Sequence, residues 1–266
     1  MAMDNKLTMY GMKKMRRIGH TMEFEQIKEY VVGDDVRTIN WKATAKRAHL
    51  MVNQYQDEKS QPIYTIIDAS RVMKMPFKGL TLLDYAINST LAFSNIALKK
   101  KDKVGMLTFA ENIKNHLPAS NKKTHLNTIL EVLYNINTKF RDSDFGALHA
   151  QIKRKINHRS LLLLYTNFEH ISSLERQMGY LKALSRKHIL VVIFFKNTEL
   201  DTLLETPAEN LSTVYHKTIA QKSDYDKKVM VNLLERYGIQ TILTKPEDLT
   251  VNTINKYLEI KARGIL

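Results

Sequence analysis

From residue 61 onward, short apolar runs alternate with stretches whose hydrophobic side chains recur every three or four residues. Four runs, Ile63–Ile67, Val104–Phe109, Leu161–Tyr165 and Ile189–Phe195, have the length of strands and are almost wholly apolar. Such runs are typical of strands covered on both faces in a parallel sheet, and the intervening periodicity indicates amphipathic helices. The clearest helical sets are Leu83, Ile87, Leu91 and Leu98; Leu126, Ile129, Leu130 and Leu133; Phe145, Leu148, Ile152 and Ile156; and Leu174, Met178, Leu181 and Leu184.

The same alternation continues to the end of the chain. A strand is predicted at Ile239–Leu243, between a helix with Val229, Leu233 and Tyr237 on its buried side and a last helix with Ile254 and Leu258. Strands that alternate with helices favour right-handed crossovers. The predicted fold class is therefore α/β, with a doubly wound, mostly parallel sheet flanked by helices. In such sheets, ligands bind beyond the carboxyl ends of the strands.

Residues 1–60 have a different pattern. Glu23–Val32 mixes alternation with charge, Val36–Lys46 is polar and basic around the one Trp of the chain, and Leu50–Tyr55 has the pattern of a strand. This segment has too little apolar sequence for a core of its own. The predicted organisation is an N-terminal appendage, 1–60, and a main domain, 61–266.

Composition excludes several classes of protein. The 266 residues include 41 Lys and Arg against 27 Asp and Glu, a net charge of +14, and no Cys, so disulfides and thiolate chemistry are absent. The basic residues are scattered and not interleaved with aromatic ones, which argues against nucleic-acid binding; a basic surface for nucleic acid or anionic membrane stays the alternative function. No apolar run approaches the ~20 residues of a membrane helix. Because Met1–Tyr10 lacks the apolar stretch of a signal peptide, the expected compartment is the cytoplasm.

Oxygen-bearing side chains occur in three segments that the predicted topology brings to one edge of the sheet. Asp68 and Ser70 follow the first strand, Ser143 precedes a helix, and Thr166 and Asn167 follow the strand Leu161–Tyr165. Hard oxygen ligands of this kind suit Mg²⁺ or Mn²⁺. An Asp at a strand end is equally often a helix cap or a turn former, so this pattern alone does not establish a metal site.

Residues 33–46, GDDVRTINWKATAK, closely resemble the signature of the bacterial domain-of-unknown-function family numbered 58. Glu23 and Phe24 before this segment, and Tyr55 and Glu58 after it, add to the resemblance, which extends from about Gly19 to the last helix. The resemblance implies a von Willebrand factor A-like, Rossmann-like domain. It also implies a MoxR-type AAA+ ATPase as partner, because members of the family are commonly encoded beside one.

The wider fold also implies a metal-ion-dependent adhesion site, which departs here from its usual pattern. Val72 stands where a second serine would be, the third-loop Asp is replaced by an amide, and either Ser143 or the adjacent Asp144 matches the second loop. The resemblance therefore predicts a degenerate site in which Mg²⁺ binds weakly or not at all, since cation affinity depends on ligand charge. Its predicted members are Asp68, Ser70, Ser143 and Asn167.

The signature segment has two interpretations. In the structural one, which we favour, Gly33 and the following acids form a turn, Trp41 packs, and Arg37 pairs with Asp34, Asp35 or Glu23 to hold the appendage. In the other, the segment is a contact surface, whose candidate interaction residues are Asp34, Asp35, Arg37 and Trp41. Asn40 stands where the family usually has Asp, so a charge pair made there is altered.

The predicted function is non-enzymatic protein recognition. The sequence has no Gly-x-Ser-x-Gly, Walker or His-Glu-x-x-His motif, and Ser70 stands where an Asp68 nucleophile would need a second carboxylate. The resemblance implies work with a MoxR-type AAA+ ATPase on unidentified client proteins, and contact with a membrane if the natural protein has helices missing from this sequence.

Overall fold

A computed structural model describes residues 22–57, 62–122, 124–197 and 211–264. Backbone contacts divide the chain into two compact units, Met1–Lys59 and Ser60–Leu266. The described strands are β1 (Met22–Glu29), β2 (Met51–Asp57), β3 (Ile63–Asp68), β4 (Pro76–Phe77), β5 (Leu80–Thr81), β6 (Val104–Phe109), β7 (Ile113–Ser120), β8 (Leu161–Tyr165), β9 (Ile189–Phe195) and β10 (Gln240–Thr244). The described α-helices are α1 (Trp41–Arg47), α2 (Leu82–Lys99), α3 (His125–Tyr134), α4 (Phe145–Lys155), α5 (Ile171–Lys187), α6 (Leu211–Arg236) and α7 (Leu249–Ala262).

The larger unit is built on a six-stranded sheet with the order β10-β9-β8-β3-β6-β7. The pairs β10·β9, β9·β8, β8·β3 and β3·β6 are parallel, and β7 runs antiparallel to β6 at one edge. When the six strands of this sheet are numbered in chain order, the order is the 3-2-1-4-5-6 arrangement of doubly wound sheets. The predicted fold class is confirmed. The order reverses between β3 and β8, which is where such folds open a crevice.

Helices cover both faces of this sheet and form two separate cores. Helices α2, α3 and α7 pack on one face, and α4, α5 and α6 pack on the other. Strand β8 contributes to both, since Leu163 and Tyr165 point into the first core and Leu162 and Leu164 into the second. Burial on both faces explains why the central strands are apolar runs without alternation.

Three helices bury only part of the face that was predicted. In α3, Leu130 is 48% exposed, and in α7 Leu258 is exposed. In α6, the predicted stripe of Val229, Leu233 and Tyr237 is offset by one position. The residues that α6 buries are Ala220, Lys227, Met230 and Leu234. This rotation brings a lysine to the core face of the helix.

The smaller unit consists of an antiparallel pair, β1 and β2, and the segment that connects them. The register shifts between Phe24 and Gln26, which marks a bulge. The connection contains a 3-10 helix, Val36–Thr38, followed by α1. Among the described side chains of this unit, Met51 and Val52 are the buried hydrophobic ones.

None of the helices in the described parts of the chain combines the length and the apolar character needed to span a membrane.

Candidate functional site

The sheet register determines which side chains meet at the crevice between β3 and β8. Ile67 is paired with Tyr165, so the next residues, Asp68 and Thr166, lie level with each other at the carboxyl ends of the two strands. Asp68 is completely buried. Its Oδ2 accepts a hydrogen bond from Thr166 Oγ1 at 2.7 Å, and its Oδ1 accepts one from the backbone N–H of Ser70 at 2.9 Å.

Burial raises the pKa of Asp68 from 3.8 to about 6. The hydroxyls of Ser70, Thr166 and Ser143 and the Ser70 backbone N–H act in the opposite direction, because they donate to the charged form. At neutral pH the folded protein therefore holds a buried carboxylate stabilised by neutral hydroxyl and amide donors.

Ser70 and Ser143 lie next to Asp68, as the sequence predicted. The Ser70 Oγ is buried and has no hydrogen-bond partner of good geometry within the described structure, although its hydroxyl is near enough to lower the pKa of Asp68. Of the two second-loop candidates, Ser143 approaches Asp68. Asp144 caps α4 instead, since its Oδ1 accepts from the Ala147 N–H at 2.9 Å.

Asn167, which was predicted to be a ligand of the metal site, directs its side-chain oxygen toward Lys227 and not into the Asp68 cluster. Its Oδ1 accepts hydrogen bonds from Lys227 Nζ at 2.8 Å and from the Phe168 N–H at 3.1 Å. Thr166 is the third-loop residue that reaches Asp68, although the predicted site included Asn167 and not Thr166. The signal that would have identified Thr166 is the register of β3 against β8, which the sequence alone does not supply.

Lys227 is a residue that the sequence analysis missed. It is 7% exposed on the core face of α6, and its Nζ also donates to the Phe168 carbonyl at 2.6 Å. The Nζ lies 5.5 Å from the centroid of the Phe194 ring. Burial lowers the pKa of Lys227 to about 8, and the carboxylate of Glu169 acts against this shift. The amine therefore stays mainly protonated at neutral pH, beside the oxygen that the degenerate metal site was predicted to use.

The residues at this edge do not fit a divalent cation. Val72 offers no oxygen, and the Asn167 oxygen is directed at an ammonium group whose charge would repel a second cation. In the described ranges, no group of three or more His, Cys, Asp or Glu side chains is placed to hold a metal ion. The oxygens that remain are the Asp68 carboxylate and the neutral hydroxyls around it, and a set with one charged ligand is a poor one for Mg²⁺.

Two adjoining cavities open at the same edge. One has a volume of about 250 Å³ and is bordered by Lys196 and Lys227, and the other has a volume of about 290 Å³ and is bordered by Arg71 and Lys74. The residues common to both are Met75, Pro76, Asn167 and Glu169. Four basic side chains against one acidic side chain make this two-lobed space attractive to anions.

The candidate interaction residues of the appendage mostly have local structural partners. Asp34 pairs with Lys28 at 2.8 Å, and it accepts from the Val31 N–H at 3.1 Å. Asp35 Oδ1 caps the 3-10 helix by accepting the backbone N–H of Arg37 at 2.9 Å. These contacts make the two acids turn and cap residues.

Trp41 and Asn40 stand at the start of α1. Trp41, expected to pack, is 70% exposed. Asn40 Oδ1 caps the helix by accepting from the Ala43 N–H at 2.9 Å, and its Nδ2 donates to Asn53 Oδ1 at 2.9 Å. An Asp at this position would keep the cap but would have no amide N–H to donate to Asn53.

The profile of the family described as "Protein of unknown function DUF58" matches residues 26–218, which is more than half of the chain. The chain belongs to this family. No curated protein matches this DUF58 chain at a significant level.

Solved structures similar to the DUF58 chain include the conserved hypothetical protein BatB from Bacteroides thetaiotaomicron, with 17% identity, 52% of this chain and 68% of that chain covered, and a TM-score of 0.40. The SpRpn10 VWA domain is 15% identical, with 73% of this chain and 93% of that chain covered and a TM-score of 0.40. The PilB minor pilin from Streptococcus sanguinis is 10% identical, with 79% of this chain and 63% of that chain covered and a TM-score of 0.49.

We expect millimolar MgCl₂ to leave the melting temperature of this DUF58 chain unchanged relative to a sample with chelator. The reason is that a ligand stabilises a protein only by binding its folded state, and the ammonium of Lys227 opposes a cation beside Asn167. Thermal unfolding followed by circular dichroism measures this. A melting temperature that rises with MgCl₂ concentration would contradict the expectation.

Proposed function

We propose that the chain is a non-enzymatic protein-interaction module whose binding face is the carboxyl edge of the sheet. In this proposal it works with a MoxR-type AAA+ ATPase in the assembly or remodelling of client proteins, and the family resemblance is the reason for naming that partner. The observation that carries the proposal is the two-lobed cavity beside the β3–β8 crevice, with its excess of basic side chains.

The surroundings of Asp68 support a non-enzymatic role. Both of its oxygens already accept hydrogen bonds, and the residue is completely buried. A carboxylate used as nucleophile or general base must reach a substrate atom directly or through one water. Asp68 is better placed to organise the loops after β3 and β8 than to react.

We place the interaction in the cytoplasm, and we include contact with a membrane if the natural protein has helices beyond this sequence.

The test is a binding titration of the chain with a MoxR-type AAA+ ATPase from the same organism, by biolayer interferometry. The double variant R71E/K74E reverses two exposed charges at the cavity edge. We expect affinity to fall by about tenfold or more, because like charges placed in an interface are repulsive. Failure of the unmodified chain to bind the ATPase would refute the proposed partner.

The matched control is K153E/K155E, which makes the same change in charge at the C-terminal end of α4. This helix leads back to the start of β8, so its last turn lies toward the amino edge of the sheet. We expect the control to bind normally. A binder that uses its general basic surface, the alternative function, would lose affinity in both variants and would weaken steeply with salt. Equal losses would therefore favour that alternative.

A further inference from the structure

The Lys227 ammonium is a buried cation whose close partners are uncharged. It donates to the amide oxygen of Asn167 and the carbonyl of Phe168, and in the described structure no carboxylate lies within ion-pair distance of it. These contacts use two of its three N–H donors. The carboxylate of Glu169 acts on this amine only from beyond ion-pair distance. A buried charge without a counter-ion in contact is costly, so an anion that reached the amine would gain a strong, charge-assisted hydrogen bond.

The amine borders a cavity with the dimensions of a small chemical group. At about 250 Å³ the cavity lies just under the roughly 300 to 1,000 Å³ typical of sites for drug-sized ligands, so it can take a group the size of one amino-acid residue. Its apolar walls include Met75, Phe77 and Phe195, and Lys196 adds a second positive charge. Such a lining selects a ligand with an apolar part and one anionic end.

We propose that this cavity binds a carboxylate of a partner polypeptide, with the Lys227 ammonium as its counter-ion and the apolar walls against the adjoining side chain. The inference rests on the proposed function, since it names the chemistry of the partner at the same edge. A carboxylate fits better than a phosphate, because a phosphate carries nearly two charges and Glu169 stands in the cavity wall. This carboxylate site is distinct from the Asp68 cluster, since Asn167 directs its oxygen to Lys227.

The test compares short N-acetylated peptides that bind the full chain at fixed pH and ionic strength, followed by shifts in its ¹⁵N NMR spectrum. One peptide ends in leucine with a free carboxylate, a second is its C-terminal amide, and a third carries an internal glutamate with an amide end. We expect at least one of the acids to bind about tenfold or more tightly than the amide. The two acid peptides distinguish a terminal carboxylate from a side-chain carboxylate as its source.

The variant K227M removes the ammonium and keeps an apolar stem of similar length. Its matched control is K228M, an exposed residue one position along the same helix, whose partner is Asp224 at 2.7 Å. We expect K227M to weaken binding of the acids about tenfold or more and K228M to leave it within about twofold.

Equal binding of acid and amide peptides by the unmodified chain would overturn the inference, even if K227M failed to fold. So would an unchanged affinity in a folded K227M. If the acids do not bind while ATPase binding still responds to R71E/K74E, the carboxylate site is refuted and the proposed function stands. If the ATPase does not bind, the comparison of acid with amide still decides this inference.

Discussion

Replacing Asp68 with Asn is expected to raise the free energy of unfolding at pH 7 by up to about 3 kcal/mol. Burial moves the pKa of this carboxyl from 3.8 to about 6, and each unit of pKa corresponds to about 1.4 kcal/mol. The Asn side chain keeps both hydrogen bonds, since its oxygen can accept from the Ser70 N–H and its amide can donate to Thr166 Oγ1. The substitution therefore removes the cost of a buried charge while it keeps these two hydrogen bonds.

The expected gain depends on pH with a definite sign. Because the folded state binds the Asp68 proton more tightly than the unfolded state, the stability that Asp68 contributes is full below about pH 4 and is lost as the pH rises through about 6. The difference in free energy of unfolding between D68N and the unmodified protein should increase with pH across that window and stay constant above it. Urea unfolding at several pH values measures the difference.

D144N is the matched control for D68N. Asp144 caps α4, and Asn is as good a helix cap as Asp, so we expect a change of only a few tenths of a kcal/mol. A D68N variant that is less stable at pH 7, or whose gain does not vary with pH, would contradict the account of the buried carboxylate.

Replacing Gly105 with Ala is expected to destabilise the protein by about 3 kcal/mol, at the upper end of the usual cost of overpacking. Gly105 lies in β6. An added Cβ would stand 2.6 Å from Cδ1 of the buried Tyr64 ring and 2.9 Å from the backbone nitrogen of Ala119 in β7. The ring is packed and the nitrogen belongs to the sheet, so neither can move freely.

Replacing Gly179 with Ala is expected to have the opposite effect on stability. It is an exposed residue in the middle of α5, and an added Cβ there meets nothing within 4 Å. G179A should therefore raise stability by roughly 0.5 to 1 kcal/mol, because Ala loses less backbone entropy than Gly in a helix. Chemical denaturation of both variants gives the comparison. A neutral G105A would show that β6 and β7 pack less closely than described.

The central strands were predictable because each is a short apolar run, and such a run fits a strand that is buried on both faces of a sheet. Ile63–Ile67, Leu161–Tyr165 and Ile189–Phe195 are strands in the structure within one residue of their predicted bounds. The face of α6 was not predictable by counting apolar residues, because its buried side includes Lys227. A lysine places a long apolar stem in a core while its amine finds oxygen partners, and a hydrophobicity pattern records only the charge.

The candidate site was predictable in place but not in detail. The topology brought Asp68, Ser70 and Ser143 together, as expected for loops at the carboxyl edge of one sheet. The choice between Thr166 and Asn167 depended on the pairing of Ile67 with Tyr165, which no local pattern encodes. The partner of Asn167 lies 60 residues further along the chain, on a helix whose buried face was predicted one position out of place.

At the carboxyl edge of the sheet, the ammonium of Lys227 contacts the oxygen that a metal ion was predicted to use. The most direct test is a crystal structure of the chain grown with millimolar MnCl₂ and measured at the manganese absorption edge, since Mn²⁺ and Mg²⁺ accept similar oxygen ligands. We predict no anomalous peak at this edge and Lys227 Nζ within hydrogen-bond distance of Asn167 Oδ1. A manganese peak coordinated by Ser70 and Asp68, with Lys227 displaced from Asn167, would contradict the claim.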